Sequence, residues 1–310
     1  MTQYGIEPTS ITQVAIHTNF IYEVRTVDGL RFALRIHRQG DGGQDVHDPL
    51  DTKLECWWLQ QLAADGFPVA EVVSNRSGDP ITVVDAVEGV PGPQRCVLFR
   101  WLPGGPPDDE AQWYWIELGR IAARLHQQSA SLTLPTWAKP RRWDSVLPYE
   151  KSHLEGGRSR GVLSPVQWDT LQRAASLMNP YLAAMYDQPR PARLIHGDLH
   201  DENVRSNRRR LSVFDFEDVI LGHPEHDLAV ALYGPYYNDP NVGEVVRGLR
   251  SGYEEAAHWP IDSLEDLRPL FAARAFGLVN FCLTLGANYL EYVAMLTDRV
   301  AAFVDDQGPL

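Results

Sequence analysis

The sequence predicts an α+β protein with two lobes, a small one built on a mainly antiparallel sheet and a larger one that is mostly helical. Short runs rich in β-branched and aromatic residues recur near the start of the chain. Helical spacing of apolar residues prevails in the later part. Between them lies a cluster of breaking residues, Leu102-Pro103-Gly104-Gly105-Pro106-Pro107. We therefore place the N-terminal lobe at 1–101 and the C-terminal lobe at 102–310.

The N-terminal lobe is predicted to contain three strands, one helix and three further strands. The dipeptide Asp28-Gly29 joins the second and third strands and is a hairpin signal. Leu54, Trp58 and Leu62 recur at helical spacing, and Gly66 follows as a helix stop. The predicted strands are Ile11–His17, Phe20–Val27, Arg31–Arg38, Val69–Val73, Ile81–Val87 and Cys96–Trp101, and the predicted helix is Asp51–Ala64.

The C-terminal lobe is predicted to be helical except for one mixed segment, Leu194–Phe216. In that segment Val213-Phe214 is predicted as a buried strand, and Ser206–Arg209 as the turn before it. The loop-rich stretch from Ser129 to Leu163 shows no pattern that assigns an element. The predicted helices are Asp109–Gln128, Pro165–Tyr186, Pro224–Leu232, Val242–His258 and Ser263–Val304.

Charge and composition argue against several classes of partner. The formal net charge of −13 disfavours nucleic acid, because a polyphosphate backbone selects basic surfaces. No segment approaches about 18 uninterrupted apolar residues, so we expect no membrane span. The polar start Met1–Ser10 indicates no signal peptide. Three widely separated cysteines show no metal-binding or redox spacing, which is typical of reduced thiols in a cytoplasmic protein.

One short segment and the acidic position that follows it have the pattern of a phosphoryl-transfer site. Asp198 and Asn203 lie in the run Leu194–Asn203, and Asp215 directly follows the predicted strand Val213-Phe214. Phosphoryl transfer needs a carboxylate beside the attacking hydroxyl, and Asp198 is the candidate. It also needs a site for Mg²⁺, which prefers carboxylate and amide oxygens. We predict Asn203 and Asp215 as the magnesium ligands, side by side on two paired strands.

The motifs around these residues resemble those of a known family. The run His196-Gly197-Asp198-Leu199-His200-x-x-Asn203 is followed by Phe214-Asp215-Phe216-Glu217 and later by Asp227-Leu228-Ala229. This order is similar to that of the aminoglycoside phosphotransferase and choline kinase superfamily, whose members are relatives of the protein kinases. The resemblance implies a protein-kinase-like fold, with ATP and Mg²⁺ as cofactors and ATP in a cleft between the lobes. It implies Asp198 as the catalytic aspartate and Asn203 and Asp215 as metal ligands.

The resemblance extends into the N-terminal lobe and implies the nucleotide-binding residues. Arg35 occupies the strand position of the phosphate-binding lysine, and Glu55 matches the glutamate that pairs with it. A guanidinium at this position keeps the positive charge and adds a planar fork of donors. The run Val97–Gly104 looks like the hinge whose backbone would hydrogen-bond adenine, so Phe99 and Trp101 are predicted to bind the nucleotide.

Five further features have roles that the sequence leaves less defined. Asp227 is predicted to cap its helix and to tether the catalytic-loop backbone, and His196 to hold that loop. His200 fits loop packing as well as a contact to substrate or phosphate. Glu217 fits a place near Mg²⁺ as well as a solvated carboxylate. The loop His17-Thr18-Asn19, which would cover the phosphates, contains no glycine, and this leaves its contacts with the nucleotide open.

The phosphate acceptor implied by the resemblance is a hydroxyl of a small molecule. An aminoglycoside, an amino alcohol such as choline, homoserine and other hydroxylated metabolites are all candidates. The acidic net charge is compatible with a cationic substrate, but it also simply favours solubility. The alternatives are a bacterial stress-response-type Ser/Thr protein kinase and a catalytically silent nucleotide-binding protein. The presence of Asp198, Asn203 and Asp215 argues against a silent protein, and the sequence does not predict an oligomeric state.

Overall fold

Seven stretches of the chain are described by a computed structural model. They are residues 1–16, 19–37, 48–85, 92–108, 111–147, 152–285 and 289–306. The chain divides into two units. The first is formed by Met1–Tyr114, Thr133–Pro140 and Asp201–Val219, and the second by Trp115–Leu132, Arg141–His200 and Ile220–Leu310. The lobe boundary placed at 101/102 stays a prediction.

The strands and helices of the described residues follow the predicted order. The strands are β1 (Pro8–Ile16), β2 (Asn19–Thr26), β3 (Arg31–His37), β4 (Val72–Val73), β5 (Ile81–Val84), β6 (Gln94–Arg100), β7 (Arg193–Ile195), β8 (Val204–Asn207), β9 (Arg210–Val213) and β10 (Ile220–Gly222). The helices are α1 (Pro49–Ala64), α2 (Gln112–Ala130), α3 (Leu154–Ser159), α4 (Pro165–Met185), α5 (Pro224–Asn238), α6 (Val242–Glu254), α7 (Arg268–Leu285) and α8 (Leu290–Asp306). None of these helices is long and apolar enough to cross a membrane.

An antiparallel sheet organises the first unit. Its strand order is β1-β2-β3-β6-β4, and β5 also pairs with β6. The predicted turn between β2 and β3 is confirmed, because Gly29 has φ 82° and its N–H donates to the carbonyl of Thr26. Val24, Phe32 and Leu98 form a buried cluster of this unit. Residues at the predicted ends of three strands, His17, Arg38 and 86–87, lie outside the described part of the chain.

Helix α1 carries clear start and stop signals in its sequence. The carboxylate of Asp48 accepts a hydrogen bond from the N–H of Leu50, and Pro49 occupies the first turn. At the other end Gly66 has φ 74°, and the N–H of Phe67 donates to the carbonyl of Leu62 at 2.9 Å. These signals hold one register of the helix, with Glu55 on its buried side.

A short hairpin, β8–β9, crosses from the catalytic-loop sequence to Asp215. The predicted turn is confirmed, since Arg208 and Arg209 form a two-residue loop between the paired residues Asn207 and Arg210. The predicted strand at Val213-Phe214 is also present, although it begins at Arg210 and ends at Val213. The backbone N–H of Phe214 donates to the carbonyl of Asn203 at 3.1 Å, which closes the open end of the hairpin.

Two helices of the second unit approach closely because both carry glycine at the crossing. A Cβ added at Gly119 of α2 would lie 1.9 Å from the carbonyl oxygen of Leu249, and one at Gly252 of α6 would lie 1.7 Å from that of Ile116. Elsewhere in this unit the single helix predicted at 263–304 is wrong. A 3₁₀ turn at 264–267 precedes α7, and α8 follows separately. Helix α3 lies in the stretch from Ser129 to Leu163, in which no pattern predicts an element.

Candidate active site

The catalytic-loop sequence follows β7 and is held by a carboxylate from α5. Oδ2 of Asp227 accepts a hydrogen bond from the N–H of His196 at 3.0 Å, and Oδ1 accepts one from the N–H of Gly197 at 2.8 Å. Gly197 has φ 82°, a conformation that favours glycine. The predicted tether is therefore confirmed. The predicted cap is wrong, because the N-cap residue of α5 is His223.

The tethering carboxylate is fully buried and is stabilised as an anion by α2. Nε2 of His126 lies 3.0 Å from Oδ2 of Asp227, and the other ring nitrogen of His126 lies 2.9 Å from the hydroxyl of Tyr253. Burial would raise the pKa of Asp227, but the hydrogen bond with His126 and the N–H donors of the loop outweigh it and lower this pKa. The loop is thereby attached to two helices of its own unit.

Asp198 lies beside two cationic or titratable side chains of the second unit. Oδ1 accepts a hydrogen bond from Nη2 of Arg274 on α7, and Oδ2 lies 3.2 Å from Nε2 of His200. Burial would raise the pKa of Asp198, but the positive charge of Arg274 and the hydrogen bond with His200 hold it well below its usual range. The charged form of the Asp198 carboxylate is thus favoured by its neighbours.

The two histidines of the motif have different positions. His196 is fully buried, and its Nδ1 accepts a hydrogen bond from the N–H of Asp198 at 3.3 Å. This arrangement matches its predicted role in holding the loop. His200 is partly exposed and contacts the carboxylate of Asp198 itself. This contact of His200 helps to orient the Asp198 carboxylate. A contact of His200 with substrate or phosphate stays a prediction.

In the first unit Arg35 and Glu55 form the predicted ion pair. Nη1 of Arg35 donates to Oε1 of Glu55 at 2.9 Å, and Nη2 donates to Oε2, so the contact is bidentate. Both side chains are almost completely buried, with exposed fractions of 5% and 2%. The guanidinium carbon also lies 5.1 Å from the centre of the Phe99 ring. Arg35 is therefore a buried residue of the sheet.

Two more carboxylates approach the same guanidinium. Nη1 of Arg35 lies 3.7 Å from Oδ1 of Asp215 and 3.5 Å from Oε1 of Glu217. The side chain of Glu217 is 8% exposed and accepts a hydrogen bond from the side-chain amide of Asn19 at 2.6 Å, while Nδ1 of His37 lies 3.6 Å from it. Glu217 is therefore not the solvated carboxylate that the sequence left possible.

The backbone places the Asp215 carboxylate on the exposed side of this group. Asp215 has φ 64°, which is unusual outside glycine and recurs at functional sites. Its neighbour Phe216 is fully buried and packs edge-to-face on Trp58, with ring centres 5.3 Å apart. Desolvation and next the negative charge of Glu217 raise the pKa of Asp215 above its ordinary value, against the attraction of Arg35.

The donor set of the first unit fits a small, hard dication. Arg35 carries one positive charge against three carboxylates, from Glu55, Asp215 and Glu217, which leaves a formal charge of 1 − 3 = −2. The hairpin bond between Phe214 and Asn203 brings an amide side chain to the same end of the hairpin as Asp215. Among the described residues no three His, Cys, Asp or Glu side chains form a metal site by themselves. Mg²⁺ suits such a set, because it keeps water and phosphate among its ligands.

The hinge residues have well-defined positions, but their role stays a prediction. The backbone of Phe99 pairs with Ala33 on one side and Val72 on the other. The N–H of Trp101 donates to the carbonyl of Arg31 at 3.1 Å, and this N–H is therefore engaged within the sheet region. The segment that follows is held at Gly105, which exchanges two backbone hydrogen bonds with Ser206 of β8.

Three residues of these clusters were missed by the sequence interpretation. Arg274 pairs with Asp198 across 76 residues of sequence, and Asn19 pairs with Glu217 across 198. A signal for Arg274 existed, because it is the one charged residue between Arg268 and Glu291. A lone charge in a long apolar helix needs a partner. Asn19 and His37 carry no such signal, since short polar residues at strand ends are common.

Comparisons with known proteins agree with the motifs. A family model described as "Phosphotransferase enzyme family" matches residues 10–270. Amicoumacin kinase of Bacillus subtilis (strain 168) is 26% identical over 235 residues, which are 74% of this chain and 65% of that protein. The matching region therefore spans a little less than two thirds of that relative's length. The resemblance to the aminoglycoside phosphotransferase superfamily is confirmed.

Solved structures share the fold at low sequence identity. An amicoumacin kinase in complex with AMP-PNP, Ca²⁺ and Ami aligns with a TM-score of 0.80 and 18% identity, covering 99% of this chain and 91% of that one. A microcompartment-associated aminopropanol kinase gives a TM-score of 0.77 and 24% identity, with 98% and 94% covered. The aminoglycoside phosphotransferase APH(4)-Ia gives a TM-score of 0.64 and 13% identity, with 98% and 95% covered. The predicted α+β, protein-kinase-like fold class is confirmed.

Proposed function

Because the chain belongs to the phosphotransferase enzyme family, we propose that it is a kinase that uses ATP and Mg²⁺ to phosphorylate a hydroxyl of a small molecule. The observation that carries this proposal is the group around Arg35, in which one buried cation faces three carboxylates. Such a group pairs a phosphate-binding cation with oxygen ligands for a dication. The relatives solved with AMP-PNP, in one case together with Ca²⁺, support the same choice of cofactors.

The first unit would bind the nucleotide. Arg35, held in place by Glu55, would contact the phosphates, and the hinge residues Phe99 and Trp101 would border the adenine. Asn203 and Asp215 would hold Mg²⁺, which when bound supplies positive charge to the phosphates and offsets charge that builds up during transfer. Because Glu55 fixes both terminal nitrogens of Arg35, little side-chain freedom remains to be lost when the nucleotide binds.

The second unit would present the acceptor hydroxyl through Asp198. In the reaction the acceptor oxygen forms a bond to the γ-phosphorus, and the bond from that phosphorus to the β,γ-bridging oxygen breaks. The hydroxyl proton passes to a carboxylate oxygen of Asp198 and then to solvent, so the products are a phosphate ester and ADP. A carboxylate with a low pKa suits this step, because in a loose transition state it mainly orients the hydroxyl.

A small-molecule acceptor is favoured over a protein acceptor by the relatives. The kinases to which the chain is similar are named for amicoumacin, aminopropanol and aminoglycosides. A silent nucleotide-binding protein is disfavoured because Asp198 lies in a tethered, charged setting that nucleotide binding alone does not need. The cytoplasmic location and the exclusion of nucleic acid stay predictions.

ADP release in the presence of a panel of hydroxylated metabolites tests the proposed function. We expect Asp198→Ala to lower kcat by roughly 10²-fold or more while Mg-ATP still binds. Calorimetry should show weaker Mg-ATP binding for Asn203→Ala and for Asp215→Ala. Asp201→Ala, in the short turn just before Asn203, is the matched control and should bind Mg-ATP like the wild type. Unchanged Mg-ATP affinity in Asp215→Ala, or wild-type turnover in Asp198→Ala, would contradict the assignment.

A further inference from the structure

Arg274 has no role in the function proposed above, yet it contacts the central residue of that function. It lies on α7, and its Nη2 donates to Oδ1 of Asp198. Its side chain is 23% exposed and that of Asp198 is 18% exposed, so both groups remain within reach of a ligand. A carboxylate that must orient a hydroxyl is here already occupied by a guanidinium. The contact therefore has to be shared or exchanged when an acceptor binds.

A second arginine lies on α8, which packs against α7. Arg299 packs over the rings of Tyr237 and Tyr233, with its guanidinium carbon 4.1 and 5.2 Å from their centres, and it donates a hydrogen bond to the side chain of Asn238 at 3.2 Å. Among the described residues no carboxylate pairs with Arg299, which is half-buried. Tyr233 is also close enough to feel the charges of both Arg299 and Arg274. The arginines thus border one region of α5, α7 and α8.

In this region the two guanidinium groups of Arg274 and Arg299 stand against the one carboxylate of Asp198, while the whole chain has a net charge of −13. An acceptor with several amino groups would meet two guanidinium groups there, and like charges at short range repel. A carboxylate would instead find the guanidinium that already donates a hydrogen bond to the Asp198 carboxylate. The charge of the region therefore selects against polycations and for an acid.

We propose that the acceptor is a hydroxycarboxylate, whose carboxylate binds Arg274 while its hydroxyl lies at Asp198. This inference rests on the proposed function and names the substrate class of the same site. In the free protein Asp198 and Arg274 neutralise each other. When the acceptor binds, its carboxylate replaces Asp198 as the partner of Arg274, and Asp198 is released to accept the hydrogen bond of the hydroxyl. Arg299 adds positive charge at the edge of the same region.

The exchange makes Arg274 a specificity-determining residue. Because one guanidinium serves both carboxylates, the hydroxyl and the carboxylate of the acceptor must be separated by a short carbon chain. A phosphate monoester would also be attracted to the guanidinium of Arg274. It is, however, larger and more highly charged than the Asp198 carboxylate, which is the anion that Arg274 binds in the structure. We therefore choose the carboxylate as the anion.

Turnover of matched acceptors provides the first test. Each short hydroxycarboxylate is compared with the carboxamide, the amino alcohol and the phosphate ester of the same carbon chain, with ADP release as the readout. We expect the carboxylate to be preferred. Arg274→Gln should raise KM for the carboxylate by about 10–100-fold, the effect of losing a hydrogen bond between charged groups, and should leave KM for ATP unchanged. Arg274→Lys should recover part of the loss.

The ratio of carboxylate to carboxamide turnover separates binding from a merely structural role. If Arg274 binds the carboxylate, the ratio collapses in Arg274→Gln. If Arg274 only supports the fold, both acceptors lose equally and the inference is overturned. Arg268→Gln is the matched control, because it removes an arginine from the same helix that pairs with Glu265 and Asp306 instead. Preference for the amino alcohol or the phosphate ester also overturns the inference.

A binding measurement keeps the inference independent of turnover. In Asp198→Asn, Arg274 no longer has the Asp198 carboxylate as a competing partner. Calorimetric titration should therefore show that this variant binds the hydroxycarboxylate roughly 10-fold more tightly than the wild type does. Arg274→Gln in that background should abolish the gain. Carboxylate binding without any turnover would uphold this inference and count against the proposed kinase. Equal binding of carboxylate and carboxamide would refute it, even if some other acceptor is phosphorylated.

Discussion

Replacement of Arg35 by methionine tests whether one buried guanidinium neutralises the carboxylates around it. Arg35 is 4% exposed and forms a bidentate contact with Glu55, which is 1% exposed. Asp215 and Glu217 lie 3.7 and 3.5 Å from Nη1 of the same guanidinium. Methionine keeps much of the length and apolar stem of the arginine side chain but has no charge. The variant therefore isolates the electrostatic contribution.

The expected loss of stability follows from the burial of the partners. Removal of one partner of a buried ion pair costs about 3–5 kcal/mol, because the other charge is left uncompensated. Asp215 and Glu217 would also lose their attraction to the guanidinium, which at about 4 Å and an effective dielectric constant of about 20 amounts to about 4 kcal/mol each. In the wild type most of this attraction is offset by the cost of desolvating the charges. We expect a decrease of about 3–5 kcal/mol in the free energy of unfolding near neutral pH. The decrease should shrink in acid, because the uncompensated carboxylates then take up protons.

Urea unfolding followed by tryptophan fluorescence measures this loss. The double variant Arg35→Met, Glu55→Leu should recover part of the stability, because the buried charge of Glu55 is removed while Asp215 and Glu217 keep theirs. Lys53→Met, on the exposed side of the same helix as Glu55, is the matched control for loss of a positive charge. Wild-type stability in Arg35→Met would refute the reasoning, and so would a double variant less stable than Arg35→Met alone.

Three further predictions concern packing, backbone conformation and pH. Gly252→Ala should lower the free energy of unfolding, measured in urea, by at least about 1–3 kcal/mol, because the added Cβ would lie 1.7 Å from the carbonyl oxygen of Ile116. The control Gly243→Ala, whose Cβ would meet only the end of an arginine side chain at 3.6 Å, should keep the wild-type free energy of unfolding. Equal effects of the two substitutions would contradict the close crossing of α2 and α6. Arg209 has φ 62°, a conformation that costs energy for every residue except glycine. Arg209→Gly should therefore increase the free energy of unfolding by about 1 kcal/mol and raise the melting temperature. A lower melting temperature would argue against that conformation. Burial lowers the pKa of His226 from 6.5 to about 4. As the pH falls from 6.5 to about 4, the unfolded chain therefore binds a proton that the folded protein does not, and the free energy of unfolding should decrease by about 3 kcal/mol. His226→Gln should flatten that part of the pH profile, and an unchanged slope would show that another group titrates there.

The elements with local signals were predicted well. Helix α1 has an aspartate cap and a proline at its start and a left-handed glycine after its end, and these signals lie within a few residues of what they specify. The prediction of one helix at 263–304 was wrong because it depended on apolar periodicity and not on a local end signal. Its apolar periodicity continues through 264–267, where the chain forms a tighter turn, and periodicity alone does not show where a helix ends.

The same distinction applies to the candidate site. The pairing of the strands between Asn203 and Asp215 was predicted from their spacing, and the bond from Phe214 to Asn203 confirms it, while the roles of these residues stay predictions. The partners of Glu217 could not be predicted in this way. Asn19 lies 198 residues away in sequence, and its proximity depends on the packing of the β8–β9 segment within the first unit.

By itself the sequence determined the family and most of the order of strands and helices, and it predicted the groups that would carry out phosphoryl transfer. These properties depend on side-chain chemistry and on spacing along short stretches of chain. The tertiary structure alone decided that Arg274 reaches Asp198 from 76 residues away, and that Arg299 stands beside the same region without a carboxylate partner among the described residues. Such contacts arise from the rotation and packing of α5, α7 and α8, and a periodic pattern specifies which face of a helix is buried but not which distant side chain it meets.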